Sequence, residues 1–322
     1  MKKKKLLAYG ICLILAVILP HVLGGNYYLS LYGQAIINII IVLGLNFITG
    51  LTRNMNLGTA GIMALGAYTS ALLSVKLGVS PWLGLAASVV MGFLIGRGLG
   101  YPSLRVKGVY LSLTTIAFGE IVRLVLNNTT KITEGAQGVK SIPLYSLFGY
   151  QIQRGIPFYY LLLVIMLLLL WVSHRIVNSK WGRAYKAISD NPDAAESLGI
   201  DIAKIKVMAF TLAAIYASVG GALYAHLIGY INPQTFTFDM SIRFVIMLMV
   251  GGIGLVRGNI FGAIIVTLLP ELLRFLGDYY QLVFYVVAFI GAIKLPQGWP
   301  AGVAALFRML RKKQTAKSGK GE

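Results

Sequence analysis

The chain is 322 residues long, 57% hydrophobic and only 12% charged, with a formal net charge of +19. Soluble domains carry about 25% charged and about 45 to 50% apolar residues, so this composition excludes a soluble globular protein and places the chain in a membrane. The basic residues stand at the ends of apolar runs and in the tail at 308–320, which argues against nucleic acid as the partner of that charge. A single cysteine, Cys12, excludes an intrachain disulfide.

Apolar runs of about 16 to 23 residues recur along the chain, most of them about the length needed to cross a hydrocarbon core of ~30 Å as a helix rising 1.5 Å per residue. They predict spans near 6–23, 30–50, 57–75, 82–98, 108–126, 157–177, 206–228, 241–256, 258–276 and 281–297. The expected fold is all-α, a polytopic transmembrane helical bundle of about ten spans with both termini cytoplasmic. It forms one domain over 1–322: six spans in 1–177, a polar loop at 178–206, the remaining spans in 207–297 and a basic tail at 298–322. Eight or nine spans is the alternative, because 240–276 is rich in glycine, carries Arg243, Arg257 and Arg274, and also fits one span with a re-entrant piece.

Lysine and arginine decide the orientation. With Met1 inside, ten spans put both termini and the segments around Arg53, 97–107, 175–206 and Arg257 in the cytoplasm. Of the 29 basic residues only Lys76, Arg123, Lys131, Lys140, Arg154, Arg243 and Arg274 remain outside. Lys2 to Lys5 ahead of the apolar stretch 6–19 resembles a secretory signal, but no Ala-x-Ala-like site follows in 21–26, so a retained first span is expected.

Gly92, Gly96 and Gly100 recur every fourth residue, as do Gly254, Gly258 and Gly262, and the pairs Ala60 with Ala64 and Gly66 with Ser70 repeat the spacing. Small residues four apart let helix backbones approach closely, which is how helices associate where lipid supplies no hydrophobic gradient. These positions are the expected helix contacts of a compact bundle.

Catalytic patterns are missing. The sequence holds no G-x-S-x-G, H-E-x-x-H or G-x-x-x-x-G-K-[ST], hence no recognisable hydrolase nucleophile, zinc site or phosphate-binding loop. His21, His174 and His226 fall in different spans and read as span-end or packing residues, so no metal or cofactor is expected. Glu120 stands apart, because a charge within a span costs roughly 2.5 to 3.5 kcal/mol on insertion scales and demands a partner or water. Arg123, three residues on and on the same helical face, is placed to supply it. Two readings stay open: a structural ion pair, or groups lining a pathway.

The densely polar stretch 178–206 holds four of the ten acidic residues, Asp190, Asp193, Glu196 and Asp201. Within it 182–189, with Arg183 and Lys186, reads as a short helix. Asn191 before Pro192 is a helix start and Gly199 a helix stop, predicting two turns over 192–198. Asp193 would sit near the positive end of the helix dipole, Ala194, Ala195 and Leu198 would be available for close packing, and Glu196 would be exposed. An ordinary surface loop is the competing reading.

D-A-A-E-S-L-G at 193–199 is similar to the E-A-A-x-x-x-G motif in the cytoplasmic loop of bacterial ABC importer permeases, with Asp193 in place of the usual Glu. W-G-R-A-Y-K-A-I-S-D-N-P-D-A-A-E-S-L-G-I at 181–200 resembles, more narrowly, the branched-chain amino acid permeases of the LivM/LivH type. N-L-G-T-A-G-I-M-A-L-G-A-Y-T-S-A at 56–71, L-T-T-I-A-F-G-E-I-V-R at 113–123 and M-V-G-G-I-G-L-V-R-G-N-I-F-G-A at 249–263 extend the likeness from Asn38 onward. A-F-G-E-I-V-R, followed by T-E-G-A-Q-G at 133–138, points to the LivM side of the pair. Asn56 and Thr59 stand where Ser and His are frequent.

The resemblance implies a permease subunit with no enzymatic activity of its own, in a bacterial cytoplasmic membrane. It implies as partners a second, LivH-like permease, two cytoplasmic LivG/LivF-like ABC ATPases and an extracytoplasmic amino-acid-binding protein. Gly182, Arg183, Asp193, Ala194, Ala195, Glu196 and Gly199 would belong to the loop coupling to the ATPases, and Glu120, Arg123 and Asn56 are candidates for the translocation pathway. The expected cargo is leucine, isoleucine and valine, moved inward by alternating access. A urea or amide importer of the same architecture is the alternative, with an ion-coupled secondary transporter further off.

Overall fold

The computed structural model describes residues 16–21, 25–103, 108–147, 149–279, 282–283 and 285–286. Most of the expected first span, most of the last span at 281–297 and the basic tail lie outside the described residues. Helix α1 is Asn26–Leu45, continued by a π turn over Asn46–Gly50. There follow α2 (Thr59–Lys76), α3 (Pro81–Ser103), α4 (Val109–Asn128), α5 (Ile156–Val177), α6 (Lys180–Asp190), α7 (Pro192–Ser197), α8 (Ile202–Ile228), α9 (Phe238–Gly251) and α10 (Val256–Leu272). Among the described residues the single sheet is a hairpin of β1 (Ser146–Leu147) and β2 (Tyr150–Gln151).

Among the described residues five helices, α1 with its π turn, α3, α4, α5 and α8, are long and apolar enough to cross a membrane. The chain is a helical, multi-pass membrane protein. In the glycine-rich region α9 and α10 are separate helices that fold back on each other at a tight turn over 252–255. With 14 residues, α9 rises only about 21 Å at 1.5 Å per residue, short of a ~30 Å core.

Burial separates the helices into two kinds. Within α1 and α8, 78% of the apolar window is buried inside the chain, against 28% in α3, 28% in α4 and 33% in α5. The first two form the interior, and the other three present their apolar sides outward.

The small residues explain how α8 becomes the hub. A Cβ on Gly92 would lie 2.7 Å from the Ala214 carbonyl oxygen, and one on Gly96 2.5 Å from the Thr211 Cα, so α3 rests directly on the α8 backbone there, with Gly100 over Val207. Gly66 meets Ser218 in the same way from α2, while Ser70 Oγ bonds His226 Nε2 at 2.9 Å. Gly258 and Gly262 press α10 against the Gly251 and Met247 backbone of α9. Gly254 departs from its expected role. It lies in the turn rather than on the face of α10, at φ +81°, a conformation glycine adopts without steric penalty, and it meets the π turn of α1, its N–H donating to Asn46 Oδ1 at 3.0 Å.

The connections gather at two ends. At one end the turn at 252–255 meets the π turn of α1, and Phe47 packs on Tyr185 of α6 with ring centroids 6.4 Å apart. At the other, the long connection after α4 is tied down by the Val139–Ile231 bridge, by Trp82 Nε1 donating to Ser146 O at 2.8 Å, and by His226 Nδ1 against Pro143 O at 2.7 Å. His226 is fully buried between these two partners and is a packing residue, as its sequence context predicts.

Candidate functional site

The loop between α5 and α8 folds into two consecutive short helices because each has its own start signal. Ser179 Oγ accepts from Trp181 N–H at 3.1 Å to cap α6, Asn191 Oδ1 accepts from Ala194 N–H at 3.1 Å to cap α7, and Asp201 Oδ1 accepts from Lys204 N–H at 2.9 Å to cap α8. Gly199 ends α7 at φ +80°, its N–H donating to Glu196 O at 2.8 Å.

One face of this unit anchors it. Gly182, Tyr185 and Ile188 of α6 recur at helical spacing and are buried, as is Ala195 of α7. Gly182 sits so close to the Val177 carbonyl that no side chain fits. Burial pushes the Tyr185 phenol above its usual pKa, and its hydroxyl has no hydrogen-bond partner among the described residues.

The opposite face is open. Arg183, Asp193, Ala194 and Glu196 are exposed, and Leu198 is 81% exposed beside Gly199. Two of the residues expected to serve docking do not lie there. Ala195 is 2% exposed because it is rotated about 100° from Ala194 on the helix and faces the bundle. Gly182 closes the α5–α6 corner. The structure therefore divides the motif into an anchoring pair, Gly182 and Ala195, and an open patch of Arg183, Asp193, Ala194, Glu196 and Leu198 around the Gly199 turn.

The expected pair forms on α4: the Arg123 guanidinium bonds Glu120, its Nε 3.0 Å from Oε2. It is not buried. The Glu120 side chain is 44% exposed and that of Arg123 19%, since α4 belongs to the outer wall. Arg123 Nη1 also donates to Gln234 Oε1 at 2.9 Å, a partner 111 residues away that no local pattern signals. Asn56 does not join them. It is buried, with its Oδ1 accepting from Gly58 N–H at 2.9 Å and its own N–H donating to Thr49 Oγ1 at 3.3 Å, so it braces the connection into α2.

A polar crevice of about 670 Å³ between α1, α9 and α10 went unanticipated. It contains Asn38, whose Nδ2 donates to Thr267 Oγ1 at 2.9 Å, and Arg243, whose Nε lies 3.0 Å from Asp239 Oδ2. In the sequence Arg243 set orientation and brought the span at 241–256 into question, while its acidic partner Asp239, one turn earlier, fell outside that span.

Comparison with known proteins completes the assignment. The sequence profile described as "Branched-chain amino acid transport system / permease component" matches residues 27–293. The high-affinity branched-chain amino acid transport system permease protein LivM of Escherichia coli K12 is 34% identical over 319 residues, covering 92% of this chain and 75% of its own. The protein of the same description from Salmonella typhimurium is 33% identical, covering 99% and 79%. The ribose import permease protein RbsC of Escherichia coli K12 is 24% identical over 304 residues, covering 91% and 92%. No solved structure matches. A multi-pass helical bundle, a doubly capped polar loop and a family match over most of its length lead to one statement: the chain belongs to the family of permease components of branched-chain amino acid transport systems, and is a permease subunit rather than an enzyme.

Proposed function

We propose that the chain is one of two permease subunits in a binding-protein-dependent ABC importer for leucine, isoleucine and valine. In this reading ATP hydrolysis on separate subunits pulls on α7 and rocks the spans between inward- and outward-facing states. The observation that carries it is the loop. Two capped helices seated on the bundle by Gly182, Tyr185 and Ala195 hold Ala194 and Leu198 outward beside Asp193 and Glu196, a rigid apolar patch with an acidic rim suited to a protein cleft. The connections at that end carry Arg53, Arg175, Lys180, Arg183, Lys186, Lys204 and Arg257, so the positive-inside rule turns it to the cytoplasm, where ATPases reside.

The partly exposed Glu120–Arg123 pair supports a second permease or a water-filled path against α4, because an ionised pair facing lipid is costly. The likeness to proteins named for branched-chain amino acid transport, closer than that to a ribose permease, supports the cargo. The test is uptake into proteoliposomes containing the complex made from the neighbouring genes, with its binding protein outside and ATP inside. The expected result is ATP-dependent accumulation of leucine, isoleucine and valine but not of urea or ribose. Accumulation of urea or ribose alone would overturn the cargo reading, and accumulation without ATP would overturn the ABC reading.

A further inference from the structure

A groove of about 530 Å³ runs between α3 and α8 on the outer wall. Its floor follows from the glycine stripe: because Gly96 and Gly100 bring α3 onto Thr211 and Val207, the flanking side chains form two facing rows. Phe93, Arg97 and Tyr101 stand four apart on α3, and Lys204, Met208 and Leu212 stand four apart on α8. Apart from Asp201, Thr211 and the two cations the lining is apolar or aromatic; Lys204 lies in the first turn of α8, and Arg97, next to Gly96 and so near the level of Thr211, lies about two turns further along the groove.

Arg97 is the anomaly. It stands within a helix apolar enough to cross the membrane, is exposed, and makes no ion pair among the described residues. Its guanidinium carbon lies 5.2 Å from the centroid of the Phe93 ring. Lys204 also has no ion pair among the described residues, and Asp201, which lines the same groove, spends one carboxylate oxygen on the cap of α8. An arginine within a span requires an anion or water, and a basic pocket between helices at the end rich in lysine and arginine is the form that an anionic headgroup recognises.

We propose that this groove is a binding site for an anionic phospholipid. Its phosphate lies between Arg97 and Lys204, the Tyr101 ring sits at headgroup level, and one acyl chain lies along Phe93, Met208 and Leu212. The charge argument selects lipid over a partner helix, because a helix in that groove would have to bring its own carboxylate into the membrane. Since Asp201 begins α8 directly after the Gly199 turn, a lipid bound here braces the helix that the polar loop feeds.

The full chain, delipidated in detergent and equilibrated with either phosphatidylglycerol or phosphatidylcholine, is examined by native mass spectrometry. The expected result is preferential retention of phosphatidylglycerol, reduced on the order of tenfold in an Arg97→Gln, Lys204→Gln double variant but unchanged in a Lys131→Gln, Lys140→Gln control. Leu212→Trp, which fills the groove and keeps both charges, is expected to reduce retention as well. Equal retention of the two lipids, or undiminished phosphatidylglycerol in a double variant with unchanged thermal stability, would overturn the proposal. Loss of a co-purifying permease subunit from the assembled transporter, with lipid retention unchanged, would show instead that the groove is a protein interface.

Discussion

At the residue scale, the polar loop shows how far sequence reasoning reaches. The caps of α7 were legible because Asn191 and Gly199 act on atoms three residues away, whereas Ser179 and Asp201, which cap α6 and α8, went unread. Which face of α7 points outward was not legible, since Ala194 and Ala195 are chemically identical and only the seat beneath them distinguishes the two. Substitution separates the roles. Ala195→Asp buries an unpaired carboxylate and is expected to lower thermal stability by several degrees, whereas Leu198→Asp is expected to leave stability unchanged and weaken ATPase association. Gly199→Val meets a penalty of about 1 to 2 kcal/mol at positive φ and is expected to loosen the end of α7 while the permease still inserts at normal levels, as membrane-fraction yields would report. Tyr185→Phe removes a hydroxyl without a partner among the described residues and is expected to leave the melting temperature unchanged or higher. Tyr216→Phe, which breaks bonds to Ser173 Oγ and Leu169 O, each at 2.9 Å, is expected to cost about 1 kcal/mol.

At the scale of elements, helix positions followed from hydropathy and the close approaches from four-residue glycine spacing, because both signals are local. The spacing misled at Gly254, where a turn glycine continues the stripe of Gly258 and Gly262 by coincidence of number. Hydropathy set the start of α9 three residues late, at 241, because Asp239 in its first turn is charged, although it pairs with Arg243. The α3–α8 contact offers a direct comparison on one helix. Gly96→Val drives a branched side chain into the Thr211 backbone and is expected to destabilise by about 1 to 3 kcal/mol or more. Gly98→Ala, at a position with open space around its Cβ, is expected to stabilise by roughly 0.5 to 1 kcal/mol through helix propensity. Thermal unfolding of the two variants in the same detergent checks both.

At the scale of the whole molecule, class and lineage were readable from composition and from motifs spread along the chain. The Glu120–Arg123 pair shows what was not. Its contact follows from i,i+3 spacing, but its place on an outward wall, joined to Gln234, depends on how α4 packs against the rest. In the proposed transporter the patch around Leu198 is where the energy of ATP hydrolysis enters the permease. The most direct measurement is co-purification of the ATPase subunits from the assembled transporter through a tag on this chain, for the unaltered protein, Leu198→Asp and Lys140→Gln. The account predicts full recovery of the ATPases with the unaltered chain and Lys140→Gln, and their loss from Leu198→Asp at equal permease yield. Undiminished ATPase recovery and leucine uptake with Leu198→Asp would contradict it and return the loop to an ordinary surface connection.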